Sequence, residues 1–173
     1  IRAKTSGNSQ PSPMPTQQID EVPIVMVAVP HYDVTDATLY SLRQAVGRSL
    51  GIRPGARLAC VTVISPSETS STVGDKSETS VHRRYLGMLR QWAQPLDLSG
   101  RQVSYHVLES NDVAQAIVRY AQGNNVSMIV LGAATHGLQL QRYQVTIPIR
   151  VAIDAPCTVI LVKQHVPFEH LDG

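Results

Sequence analysis

Arg142, His136 and Thr146 put a guanidinium, an imidazole and a hydroxyl close together just ahead of an apolar stretch. Those are groups suited to a phosphate or another anion. A plainer role competes: an imidazole in a polar, glycine-flanked loop is ordinarily solvated, and Arg142 beside Tyr143 can lay its stem over apolar surface. The plainer role is the expectation. His31, Tyr32 and Asp33 form a second polar cluster, which reads as turn chemistry after an apolar run. His106, Glu109 and Asp112 are near one another, but their spacing across a strand end and a helix start makes no catalytic array. The chain contains no GxSxG, HExxH or GxxxxGK[ST] element, so hydrolase, zinc-enzyme and Walker-type chemistry have no supporting motif. It also lacks the Gly-rich loop, HRD and DFG segments of a protein kinase. No enzymatic activity is expected of this domain, and slow ATP hydrolysis would lack a recognisable base.

The elements that would carry these residues are legible as apolar runs and helical spacings. PIVMVAVP, from Pro23, suits a strand buried on both faces, and Thr35 or Asp36 can cap a helix bearing Leu39, Leu42, Ala45, Val46 and Leu50, with Gly51 as its stop. RLACVTVI, Arg57 to Ile64, is a second buried strand. The Ser/Thr-rich stretch from Ser65 to Thr79, with Gly74, reads as a mobile loop. Val81, Tyr85, Met88, Leu89 and Trp92 then share one face of a second helix that stops before Pro95, its basic residues His82, Arg83, Arg84 and Arg90 forming a solvated face. Val103 to Leu108 is a third strand. Asn111 or Asp112 caps a third helix that Gly123 ends, Val126 to Leu131 is a fourth strand, and a short helix around Pro148 to Ile153 precedes a last strand from Thr158 to Val162. Alternating strands and helices predict a doubly wound α/β sandwich, a five-stranded parallel sheet with four helices. Ligands of such folds bind beyond the carboxyl ends of the strands where the strand order reverses, so the loops after the first, second and fourth strands are the ones to examine.

Composition agrees with that architecture. Hydrophobic residues make up 43% of the 173 and aromatics only 5%, so the core must be built from Val, Ile, Leu and Ala. With 15 basic and 13 acidic residues there is no basic stripe, which argues against nucleic acid and acidic membranes as partners. The two cysteines, Cys60 and Cys157, lie in apolar stretches without metal-ligand spacing and read as buried reduced thiols. No apolar run approaches the about 20 residues that cross a bilayer, and IRAKTSGNSQ lacks a secretion signal's apolar core, so a cytoplasmic location is expected. Residues 1–21 read as a flexible linker, 22–164 as the folded domain and 165–173 as a tail. The first residue, Ile1, suggests a piece of a longer polypeptide.

VMVAVP at the first strand, NDVAQAIVRYAQGNNVSMIVLGA over the third helix and fourth strand, and the closing APCTVILVK resemble the universal stress proteins, and the likeness runs from Pro23 to Lys163. It implies the adenine nucleotide alpha hydrolase-like, Rossmann-like form of the fold. GARLACVTVI, WAQPL, HVLES and DAPCTVILVK are similar, more narrowly, to stress-protein domains fused behind bacterial serine/threonine protein kinases. In the family's nucleotide-binding branch the fourth strand leads into Gly, two residues, Gly, nine residues, Gly, then Ser or Thr. Gly132 keeps the first position; Thr135 stands at the second, with Gly137 close enough to substitute. Counting back from Ala155, Pro156 and Cys157, the third glycine becomes Val145 and the hydroxyl is Thr146. A branched side chain at Val145 would project where a phosphate approaches backbone, while Thr146 at a helix start and Pro148 in its first turn remain compatible. The family's Asp after the first strand is matched by Pro30, with Asp33 three residues on.

The resemblance therefore implies a degenerate nucleotide loop. The expected function is a non-catalytic regulatory and dimerisation module, attached to a protein kinase, that holds no cofactor; an ATP-binding stress sensor, with Mg²⁺ carried on the phosphates, is the alternative. Homodimerisation is expected through the last strand, with Val159, Ile160, Leu161 and Val162 as its seam.

Overall fold

Successive residues of the central strands feed two apolar layers, which explains why those strands read as nearly unbroken apolar runs rather than alternating ones. The computed structural model describes residues 11–12, 21–32, 34–70, 77–133 and 142–163, with the side chains of 70, 77–79 and 142–146 outside that description. Along the chain come β1 (Ile24–Ala28), α1 (Asp36–Ile52), β2 (Arg57–Ile64), α2 (Pro66–Ser70), α3 (Ser77–Ala93), β3 (Val103–Glu109), α4 (Val113–Gly123), β4 (Met128–Gly132), α5 (Arg142–Asp154) and β5 (Thr158–Val162). The strands form one five-stranded sheet in the order β3-β2-β1-β4-β5, and every pairing is parallel. Val25, Val27, Leu58, Cys60 and Val130 pack under α1 and α3, against Leu42, Val46, Leu89 and Trp92. Met26, Val61, Val63, Ile129 and Leu131 pack under α4 and α5, against Ile117, Ala121 and Val151. The doubly wound sheet is thus the expected one, with a fifth, short helix added.

Caps fix where helices start. The Thr35 hydroxyl accepts the Thr38 N–H at 3.2 Å ahead of α1. Asp112 accepts the Gln115 N–H at 3.0 Å ahead of α4. Arg150 of α5 forms two bonds of 3.0 Å to the same Asp112 carboxylate, tying the two helices of that layer together. On the opposite layer the Trp92 indole donates to the Leu39 carbonyl at 3.2 Å, and Arg43 Nε donates to the Trp92 carbonyl at 2.8 Å, joining α3 to α1.

Three expectations need correction. Helix α1 does not stop at Gly51 but runs on to Ile52, because the Arg101 guanidinium, not a glycine cap, satisfies its end: Arg101 donates to Ala56 O at 2.6 Å, Leu50 O at 3.3 Å and Arg53 O at 3.4 Å. The left-handed turn comes later, at Gly55, with φ of 84°. The stretch after β2 is not all loop, since Pro66–Ser70 is helical and α3 already begins at Ser77, the residues between, Gly74 among them, lying outside the described residues. Ser65, Pro66 and Glu68 account for α2: the Glu68 carboxylate reaches back to the Ser65 N–H at 2.8 Å, half of a capping box, and proline suits a first helical position. Helix α5, finally, begins at Arg142 rather than near Pro148, so Pro148 is an interior residue and Thr146 lies four residues beyond the start instead of at it.

Of the two thiols expected to be buried, Cys60 is, whereas Cys157 is only half-buried. Cys60 faces the α1/α3 layer and Cys157 the α4/α5 layer, so the sheet separates them, and both are free. Burial pushes the Cys60 thiol up to about 12 and raises that of Cys157.

Candidate functional site

Strand β1 is five residues long and β2 eight, so β2 outruns its neighbour at the carboxyl edge of the sheet. The last β1–β2 partners are Ala28 and Val61, followed by a bond from Val29 N to Val61 O of 2.8 Å. Backbone groups alternate along a strand: Arg57 N and Val61 O both point toward β1, whereas Leu58 N and Ile64 O point toward β3. By that alternation the N–H and C=O of Val63 also point toward β1, where β1 has already ended. The Val29 carbonyl, which would have taken the Val63 N–H, accepts the Thr62 hydroxyl at 2.8 Å instead. Pro30 falls where a residue's N–H would face β4, and having none it closes the β1–β4 ladder, whose last pair is Ala28 with Leu131.

These endings open a cavity of about 320 Å³ over the carboxyl ends of β1, β2 and β4. It sits at the reversal of strand order, between β1 and β4, where the sequence placed it. Its walls are mainly apolar: Val61 and Val63 from β2, Ile117 from α4, Leu131 from β4 and Pro148 from α5, with Pro30, His31 and Tyr32 along one rim. A side chain at Gly132 would meet only Thr38 Cγ2, at 4.0 Å. That glycine thus keeps the floor open beside the β4 end without needing a left-handed backbone.

His31 is the one imidazole among the described lining residues, and its partners come from across the fold. Its Nδ1 lies 3.4 Å from Thr62 Oγ1 and its Nε2 lies 3.4 Å from Glu68 Oε1. The Tyr85 ring meets it edge-on at 4.9 Å between centroids. Tyr85 Oη donates to Glu68 Oε1 at 2.8 Å, while Arg84 lies 3.4 Å from that phenol and 5.0 Å over its ring. Desolvation alone would raise the Glu68 carboxyl, but the Tyr85 hydroxyl, the Ser65 N–H and His31 outweigh it and hold it below the usual carboxylate range. The same burial and the bond to Glu68 push the Tyr85 phenol up.

Of the site residues expected from sequence, Gly132 is in the cavity wall, as is Pro30 in place of the carboxylate. Asp33, Thr135, His136 and Gly137 lie outside the described residues, and so do the side chains of Arg142, Val145 and Thr146. A helix-start hydroxyl at Thr146 is not what α5 provides. His31 is more than turn chemistry, because it joins β2, α2 and α3. Glu68 and Tyr85 were missed as site residues, although the Ser-Pro-Ser-Glu capping signal could have placed the first. Among the described residues no group of three or more His, Cys, Asp or Glu could hold a metal, and no helix is long and apolar enough to cross a membrane. The cavity is walled mainly by apolar side chains, and Val63, at the overhanging end of β2, is among its lining residues. No arginine or lysine stands among its described lining residues to receive a triphosphate.

The sequence profile of the universal stress protein family matches residues 24–163. A search of curated proteins gave no match. Among solved structures, a universal stress protein in complex with cAMP is 17% identical, covering 83% of this chain and 98% of that one, with a TM-score of 0.58. A universal stress protein from Lactobacillus plantarum is 22% identical over 82% of this chain and 99% of its own, with a TM-score of 0.53. A family protein from Arabidopsis thaliana with AMP bound is 12% identical over 87% and 99%, with a TM-score of 0.53. Identities this low speak for the fold alone, but the profile match runs from the first residue of β1 to one past β5: the chain belongs to the universal stress protein family.

Proposed function

We propose that this domain is a non-catalytic regulatory module that reads a nucleoside-type ligand, base first, in the cavity at the reversal of strand order. The observation that carries the proposal is the overhang of β2, which leaves the Val63 N–H and C=O side by side above an apolar floor. A ring presenting an acceptor next to a donor, as the aminopyrimidine edge of adenine does, complements that pair. The cAMP and AMP in two solved relatives are of the same chemical class. In this reading His31, the one imidazole among the described lining residues, is structural, since both of its ring nitrogens face protein partners. Whether phosphates add to binding depends on the segment from Thr135 to Thr146; we hold its glycine pattern degenerate, so that ATP with Mg²⁺ gains little over adenosine. Calorimetric titration with adenosine, AMP and ATP with Mg²⁺ tests this. Binding of adenosine within about tenfold of ATP is expected; no binding of any of the three overturns the reading. A Val145→Gly variant that gains ATP affinity alone would identify the altered loop as the reason.

A second reading, self-association through β5, has its own observation. β5 is an edge strand with Leu161 43% exposed, and Ile149 and Ile153 on the adjacent α5 are 50% and 75% exposed. The seam we infer includes Val159, Ile160, Leu161 and Val162, and in a chain carrying a protein kinase it would bring two kinases together. Light scattering should give twice the monomer mass, reduced to one by Leu161→Lys; a monomeric unaltered domain refutes it.

A further inference from the structure

We infer that His31 is a positioning residue for this cavity and that its protonation strengthens ligand binding there, an inference that rests on the cavity being the ligand site. The groups facing the imidazole among the described residues are the Thr62 hydroxyl from β2, the Glu68 carboxylate from α2 and the Tyr85 phenol from α3, with Arg84 behind that phenol. Both of its nitrogens face oxygen. The Thr62 hydroxyl gives its proton to the Val29 carbonyl, so toward Nδ1 it presents lone pairs. Glu68 presents a carboxylate toward Nε2, its two oxygens already receiving the Tyr85 O–H and the Ser65 N–H.

Only an imidazole with a proton on each nitrogen donates to both sides at once. Loss of one proton leaves either Nδ1 facing Thr62 lone pairs or Nε2 facing the carboxylate, unless Thr62 turns away from Val29. Either change loosens the rim. His31 and its neighbours Pro30 and Tyr32 line that rim, and Tyr32 is 80% exposed. The imidazolium therefore preorders the wall against which a ligand packs, and preordering raises affinity by removing a cost otherwise met on binding. Arg84 works against the imidazolium charge, but Glu68 and Tyr85 stand between the two. Binding should take up a fraction of a proton, so affinity rises as pH falls.

Adenosine is the probe, since it carries no group that titrates in the range used. Calorimetry from about pH 5.5 to 8 should show the unaltered protein binding about threefold or more tightly at the acid end, the size of a modest ion-pair bias. His31→Gln, which keeps one donor and cannot titrate, should bind with a flat pH profile. Adenosine binding that is equally flat in the unaltered protein overturns the inference while leaving the cavity as the ligand site. Failure of adenosine to bind at any pH removes the ligand site itself, and the inference with it. A ligand-free measurement separates fold damage from mechanism: in the free protein the amide signals of Ser65 and Tyr85 should shift with the same midpoint as the His31 ring protons. Signals that stay fixed while the ring titrates overturn the relay.

Discussion

Replacing Gly51 by alanine should stabilise this domain, and the size of the effect follows from where the chain turns. A glycine that ends a helix in the left-handed region resists alanine, and Gly51 reads from sequence as such a stop. In the structure it is the next-to-last residue of α1, helical and without positive φ, and an added Cβ meets nothing within 4 Å. Alanine at such a position removes backbone freedom from the unfolded chain and gains helix propensity, together about 0.5–1 kcal/mol. For a chain of this size that is an increase in Tm of about 1–4 °C. Gly55 makes the opposite case, because its φ of 84° would strain an alanine although the space is open; Gly55→Ala should cost roughly 1–2 kcal/mol. Urea unfolding followed by Trp92 fluorescence suits both, since the single tryptophan is buried between α3 and α1 and hydrogen-bonds the α1 backbone. A Gly51→Ala domain less stable than the original, or a Gly55→Ala domain more stable, would refute the placement of the turn and with it the capping role assigned to Arg101.

Arg101→Met, which keeps the stem and removes the donors to three carbonyls, should cost about 1–3 kcal/mol in the same urea assay, and an unchanged midpoint would mean the α1 end needs no cap. Asp112 has its carboxyl held below the usual range, first by the hydrogen bonds from Arg150 and then by the Gln115 N–H. A lowered carboxyl contributes stability above the ordinary carboxylate pKa near pH 4, and loses it as pH falls through the lowered value. Asp112→Asn should therefore be less stable than the original at neutral pH and should converge with it in acid; a gap that persists in acid refutes the ion pair as its source. Cys60, whose thiol is pushed up to about 12 and fully buried, should react with a disulfide reagent only as fast as the domain opens, and more slowly than half-buried Cys157. Equal rates in the folded state would contradict the packing of β2.

The strands buried on both faces were the most legible part of the chain. RLACVTVI gives β2 to the residue, because burial on both faces leaves Thr62 as the one polar position inside the run, and TVILV gives β5 to the residue although that edge strand is only partly buried. Asp112 was legible as a cap because the signal is local. The end of α1 was not, since the group that satisfies it, Arg101, is 48 residues from Arg53 in sequence. Helix α2 was hidden by composition: Ser and Thr fill the stretch, so the Ser65–Glu68 capping signal reads as more of the same. His31 shows the same limit from the other side, for its neighbours Tyr32 and Asp33 suggest a turn, whereas Thr62, Glu68 and Tyr85, which decide its environment, arrive only with the fold.

Pro30 carries the last step. Set against the family pattern it counts as a loss, a ring where a carboxylate is expected. In the sheet it sits where an N–H would have continued β1 toward β4, and the ladder stops there. Because β1 stops, the end of β2 has no neighbour on its β1 side while it stays paired with β3, and the function proposed above takes the Val63 backbone on that open side as its recognition edge. A site built from backbone overhang tolerates change in the residues around it, provided strand lengths and apolar walls are kept. A cavity can therefore stand in a chain that carries Thr135 and Val145 where the family pattern has glycines, and under the function proposed above the strand ends would provide the room for a base.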